Sequence, residues 1–204
     1  MSRSSSRQRL SRPLIAHVGI VGGTFDPIHL GHLHILKSLA PKFDQLMVIP
    51  SGEPRLRTEK PSASGNDRLE MCVAALDDLP NDLQEKVVVN DLEIRRKGPT
   101  YAIETINQLR AFNPRDTFTL ILGSDAAAKF DQWYRADAIR KAVPILVVKR
   151  PGEAASQFEE VAIKALDISA TQIREAFANK KSVAEFISPS VLSYIKEHKL
   201  YGSK

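Results

Sequence analysis

The chain predicts an α/β fold built on a doubly wound, mostly parallel sheet, with a small helical part at its C-terminal end. Three observations point there. Short apolar runs rich in β-branched residues recur at 14–21, 46–49, 87–89, 118–122 and 144–148, the composition of strands buried on both faces. Segments with helical apolar spacing stand between them, and strands alternating with helices close into a parallel sheet. At 204 residues, 43% hydrophobic and 26% charged, the chain has the material for one sizeable domain, with room for a small second lobe.

The first strand ends at Gly22-Gly23, where paired glycines let the backbone turn sharply and bring main-chain N–H groups up to a ligand. After Pro27 comes His29-Leu30-Gly31-His32, followed by Leu33, Leu36, Leu39 and Ala40 at amphipathic helical spacing. Residues three apart share a helix face, so both imidazoles project near the positive end of that helix, as a phosphate site requires. Two histidines at this spacing could also ligate zinc, but no cysteine or acidic ligand motif accompanies them. Neither G-x-x-x-x-G-K-[ST] nor G-x-G-x-x-G is present.

The first twelve residues carry four arginines and no acid, so the net charge of +5 belongs largely to this stretch. Residues 1–13 are expected to form a disordered basic extension. An Arg- and Ser-rich transit peptide fits the composition too, but there is no apolar core of a secretory signal. With those charges set aside the body is near neutral, which argues against a nucleic-acid surface. No apolar run reaches the roughly 18 residues of a membrane span, and the single cysteine, Cys72, reads as a reduced core residue of a cytoplasmic protein.

Residues 51–66 are polar and punctuated by Gly52, Pro54 and Pro61, a loop long enough to be functional, with Arg55, Arg57 and Lys60 within reach of a polyphosphate. Asn66 or Asp67 then caps a helix whose apolar face is Leu69, Cys72, Val73 and Leu76. The strand at 87–89 runs on toward Ile94. Gly98-Pro99 makes a turn, Thr100 begins a helix bearing Ala102, Ile106 and Leu109, and Gly123-Ser124-Asp125 sits at the carboxyl end of the 118–122 strand, where open α/β sheets bind ligands. Trp133, the only tryptophan, lies just beyond. Arg150-Pro151-Gly152 turns the chain after the 144–148 strand. Ser169 and Thr171 stand at a helix start with Arg174 one turn on, hydroxyls and a guanidinium suited to phosphate oxygens. Pro189 starts the last helix.

The string Gly22-Gly23-Thr24-Phe25-Asp26-Pro27-Ile28-His29-Leu30-Gly31-His32 resembles the signature of the HxGH nucleotidyltransferases, and specifically of the nicotinate-nucleotide adenylyltransferases. Ile168-Ser169-Ala170-Thr171-Gln172-Ile173-Arg174 is similar to that family's second motif, and Asp67-Arg68-Leu69-Glu70-Met71 to a short segment between them, although Arg68 also reads as a structural residue. The resemblance runs in order through nearly all of the chain after Leu14. It implies a Rossmann-like single domain over 14–204, with 165–204 as its C-terminal helical part.

The resemblance also implies roles. His29, His32 and Arg174 are expected to be catalytic. Gly22, Gly23, Thr24, Phe25, Arg57, Ser169 and Thr171 are expected to hold ATP, and Thr100, Tyr101, Asp125 and Trp133 the pyridine nucleotide. Two departures stand out. Arg57 occupies the place of the family's loop lysine, and Thr100-Tyr101-Ala102 lacks the last hydroxyl of the family's Ser/Thr-Tyr-Thr. The implied reaction joins ATP, with Mg²⁺ carried mainly by phosphate oxygens and water, to nicotinate mononucleotide. The alternatives are nicotinamide mononucleotide or phosphopantetheine as acceptor, or a nucleotide-binding module without catalysis. A homo-oligomer is allowed.

Overall fold

The computed structural model describes residues 13, 15–54, 60–149, 156–164 and 166–203. The expected basic extension (apart from Pro13), Leu14, Arg55, Arg57 and the Arg150-Pro151-Gly152 turn lie outside the described residues.

The strands are β1 (His17–Gly23), β2 (Gln45–Pro50), β3 (Glu53–Pro54), β4 (Val87–Val89), β5 (Pro99–Thr100), β6 (Thr117–Gly123), β7 (Ile145–Lys149) and β8 (Glu159–Ala162). The helices are α1 (Leu30–Leu39), α2 (Gly65–Asp77), α3 (Asn81–Lys86), α4 (Leu92–Arg95), α5 (Ala102–Phe112), α6 (Ser124–Ala128), α7 (Ala136–Ala142), α8 (Ala170–Ala178) and α9 (Pro189–Glu197). Six strands make one sheet in the order β4-β2-β1-β6-β7-β8, every neighbouring pair parallel, and β3 pairs with β5 apart from it. The connections run outward from β1 in one direction and from β6 in the other, so the switch point falls between these two strands. This is the doubly wound fold that the alternating pattern predicts.

Strand side chains alternate between two apolar layers. Leu46, Val48, Ile121 and Val148 pack with α1, α2, α8 and α9, whereas Ile20, Met47, Leu120 and Val147 pack with α5 and α7. Cys72 is buried in the first layer, and desolvation pushes its thiol well above the ordinary range. Among the described residues no helix is long and apolar enough to cross a membrane.

Four local expectations are corrected. The cap of α2 is Ser64, whose hydroxyl accepts from the Asp67 N–H at 3.1 Å, so the helix starts earlier than Asn66. Its buried face is Arg68, Met71, Cys72 and Ala75, with Val73 turned outward at 44% exposure. Beyond β4 the chain does not stay extended to Ile94: Asn90 accepts from the Leu92 N–H at 2.9 Å, an Asx turn that opens α4. The Thr100 helix likewise begins at Ala102, with Tyr101 as its N-cap. The strand β8 has no counterpart among the sequence expectations. Its residues are Glu-Glu-Val-Ala, too polar to stand out, and they join the sheet as an edge strand beside β7.

Candidate active site

A cavity of about 610 Å³ opens at the carboxyl ends of β1 and β6. Gly22 and Gly123 stand at its rim with open space where a side chain would be. Ile20, Ile106, Leu120 and Leu122 form an apolar floor, and Thr24, Ser51 and Thr100 add hydroxyls. Tyr101, Trp133 and Tyr134 also line it. Tyr101 lies 4.4 Å from Tyr134 between ring centroids, and Trp133 leans on buried Phe130 at 5.5 Å. Tyr101 caps α5 without a side-chain bond to the helix, which directs the positive end of α5 at this wall.

Charge enters the cavity twice. Glu93 accepts from the Thr105 hydroxyl at 2.8 Å, and Thr105 Oγ1 in turn accepts from Arg96 Nη1 at 3.2 Å. Among the described residues that line the cavity, Lys129 is the cationic side chain. Sequence reasoning missed Glu93, Lys129 and Tyr134, of which only Tyr134 has an expected site residue, Trp133, as its chain neighbour.

The histidine pair sits where β1 hands over to α1. His29 is the N-cap, in extended conformation, and His32 is the third residue of the helix. Their rings lie 3.7 Å apart between centroids at 31°, and Phe25 meets His32 edge-on at 5.0 Å. The spacing argument is thus realised, with one addition. The His29 backbone N–H donates to His32 Nδ1 at 3.2 Å, so Nδ1 is the acceptor and the neutral ring carries its proton on Nε2. Gly31 permits this arrangement, because a Cβ there would meet the His29 ring at 3.0 Å. Among the described residues no group of three or more His, Cys, Asp or Glu side chains is placed to hold a metal ion.

The second motif comes alongside the first. Ser169 caps α8, accepting from the Gln172 N–H at 3.2 Å while Gln172 Oε1 accepts from the Ser169 N–H at 2.9 Å. Ile168 lies 3.8 Å from where a Gly31 Cβ would stand, so the starts of α1 and α8 are neighbours. Arg174 Nη1 donates to the Asp26 carbonyl at 2.8 Å, and its Nη2 donates to Thr171 Oγ1 at 3.3 Å.

Two polar residues hold the intervening turn. Arg68, only 2% exposed, donates from Nη1 to the Thr24 carbonyl at 2.7 Å and from Nη2 to the Gly52 carbonyl at 3.3 Å. Gly52 in turn packs so closely on the Glu93 carbonyl that a Cβ would stand 2.3 Å from it. Asp26, 3% exposed, receives the Ser62 and Ala63 N–H groups at 2.7 and 3.0 Å. These partners make Arg68 the structural residue that its sequence context allowed, whereas nothing in the sequence signalled the role of Asp26, because a charged residue inside a core is informative only once its partners are known.

Of the expected site residues, Gly22, Gly23, Thr24, Thr100, Tyr101 and Trp133 meet in the cavity. Phe25, His29, His32, Ser169, Thr171 and Arg174 gather beside it at the two helix starts. Asp125 is exposed on the first turn of α6 and is not part of the cavity wall.

The Cytidylyltransferase-like family model matches residues 20–176. A protein of Oceanobacillus iheyensis named "Probable nicotinate-nucleotide adenylyltransferase" is 33% identical over 190 residues, covering 91% of this chain and 96% of its own length. One of the same name from Synechococcus sp. (strain JA-3-3Ab) is 34% identical over 204 residues, covering 93% and 96%. The structure described as Plasmodium falciparum nicotinic acid mononucleotide adenylyltransferase complexed with NaAD superposes with a TM-score of 0.79 at 20% identity, over 92% of this chain and 98% of that one. Fold, signature geometry and relatives along most of its length agree: the chain belongs to the nicotinate-nucleotide adenylyltransferases of the Cytidylyltransferase-like family.

Proposed function

We propose that this protein is the enzyme of NAD biosynthesis that joins ATP and nicotinate mononucleotide, releasing pyrophosphate and forming deamido-NAD. The observation that carries this reading is the junction of two sites across Gly22–Phe25. On one side lies an aromatic-walled cavity, on the other a histidine pair between two helix starts.

A phosphate oxygen of the mononucleotide attacks the α-phosphorus of ATP in line. The new P–O bond forms as the bond to the bridging oxygen breaks, and pyrophosphate carries away that electron pair. The attacking oxygen is already anionic near neutral pH, so the protein needs no nucleophile of its own. Its task is alignment and stabilisation of charge. Backbone groups of Gly22 to Phe25, with His29 and the Nε2–H of His32, address the α-phosphate, and Ser169, Thr171 and Arg174 the β- and γ-phosphates. The nucleotide enters as its Mg²⁺ complex, the metal being part of the substrate. Arg57 belongs to the same phosphate end by its place in the sequence.

In the cavity, Trp133 offers a flat face to the pyridine ring, with Thr100 and Tyr101 at its edge. The start of α5 and Lys129 supply positive potential for the acid group that an amide would not reward. Asp125, two residues beyond the Gly123 rim, is assigned to a ribose hydroxyl.

The test is pyrophosphate release from ATP and Mg²⁺ with nicotinate mononucleotide and nicotinamide mononucleotide offered separately. Faster turnover of the acid is expected. Comparable use of both would make the enzyme dual in specificity, and release with neither by folded protein would overturn the substrate assignment in favour of phosphopantetheine or a binding module.

A further inference from the structure

We infer that Tyr201, in the turn that follows α9, is a positioning residue for adenylyl transfer, acting through Asp26 on the phosphate-binding turn. The inference rests on the reaction proposed above. Its basis is that one buried carboxylate ties four separate segments together inside the first signature.

Asp26 Oδ1 accepts from the Tyr201 hydroxyl at 2.7 Å and from the Ala63 N–H at 3.0 Å, and Oδ2 accepts from the Ser62 N–H at 2.7 Å. Arg174 Nη1 stands 3.9 Å from Oδ2 and donates to the carbonyl of the same residue at 2.8 Å. Asp26 therefore joins the turn after β1, the entry to α2, the guanidinium from α8 and the turn after α9. Three residues downstream is His29, and immediately upstream Phe25 touches the His32 ring. Anything that sets the Asp26 backbone sets the histidines and Arg174 together.

Tyr201 is built for that task. Its ring stacks on Phe177 of α8 at 5.9 Å and 24°, and the Ser203 hydroxyl fastens the turn to the Ile195 carbonyl at 2.9 Å. Its backbone holds φ +55°, a left-handed conformation that costs a bulky residue energy. Phe25, beside Asp26, does the same at φ +50°. Strain of this kind persists where surrounding contacts impose it, and it gathers at functional sites. Burial and the Asp26 carboxylate push the Tyr201 hydroxyl far above its ordinary pKa, so it stays a donor throughout the working pH range. The geometry requires only the hydroxyl. Removing it leaves the ring packing whole and frees the aspartate to shift.

Tyr201→Phe separates positioning from support. In the full chain, kcat with ATP and nicotinate mononucleotide should fall about 10- to 100-fold, the scale for a small misplacement of reacting groups. KM for the pyridine nucleotide should hold within about twofold, because Trp133 and Tyr101 are untouched, and the fold should melt cooperatively. The ¹⁵N shifts of the His32 imidazole should move, since its Nδ1 contact depends on the turn. Wild-type kcat with unchanged imidazole shifts overturns the inference. So does a lower Tm with the folded fraction fully active, which makes Tyr201 a stability residue only. If the wild-type protein uses neither pyridine mononucleotide, the reaction assignment fails separately. ATP-induced shifts of the His32 imidazole still decide the positioning role, and identical shifts in the two proteins overturn it.

Discussion

Arg68→Met puts the connection between the two halves of the site to a quantitative test. The side chain is 2% exposed and its guanidinium donates to the Thr24 carbonyl at 2.7 Å and the Gly52 carbonyl at 3.3 Å. A charge-assisted bond of the shorter length contributes about 2 kcal/mol and the longer one about 1 kcal/mol. Methionine keeps most of the stem volume, so the cavity term is small. Removing a buried charge returns part of its desolvation cost, which brings the net loss to about 2 kcal/mol. With a urea dependence on the order of 2 kcal/mol per molar, the unfolding midpoint should drop by about 1 M. The kinetic effect should appear on both substrates. Thr24 borders the phosphate turn, while Gly52 backs Glu93 and Thr100 in the cavity wall through the close contact and the β3–β5 pairing. A rise of about fivefold in each KM is expected, roughly 1 kcal/mol apiece. A midpoint within about 0.2 M of wild type and unchanged KM values would refute the claim that Arg68 holds the two sites in register.

Three further outcomes follow from the same geometry. His32→Ala should fold normally and lose about 10²- to 10³-fold in kcat, the scale for deleting one donor that meets transition-state charge; steady-state pyrophosphate release reads it, and normal turnover would remove His32 from the mechanism. Trp133→Ala should raise KM for the pyridine nucleotide by about tenfold, the upper range of an aromatic contact, while KM for ATP changes little; equal effects on both would take Trp133 out of the pyridine pocket. Lys129→Gln should weaken nicotinate mononucleotide about two- to fivefold, the scale for a partly exposed ion pair, and leave nicotinamide mononucleotide unaffected. The first difference should shrink in high salt, and a salt-independent effect would assign Lys129 a packing role instead.

The sequence alone determined β1, β2, β4, β6 and β7 and the alternation of strands with helices, because continuous β-branched runs and 3.6-residue spacing are local signals that burial on a parallel sheet reinforces. It also determined the local geometry of the two signatures. Gly31 between two histidines and a Ser-x-Thr before an arginine specify local backbone geometry within a few residues, and the helix starts at His29 and Ser169 stand where they were expected. Tertiary structure decided what those residues meet. The tautomer of His32 follows from a backbone contact, the register of α2 from burying Arg68 rather than Val73, and the charge of the cavity from Glu93 and Lys129. The partners of Asp26 lie 36, 37, 148 and 175 positions away. Nothing in a linear pattern encodes contacts at such separations, because they exist only once the sheet has brought β1, α2, α8 and the turn after α9 to the same end of the molecule. A buried aspartate or arginine is costly until those partners arrive, and what the chain builds with them is the frame that aligns the site.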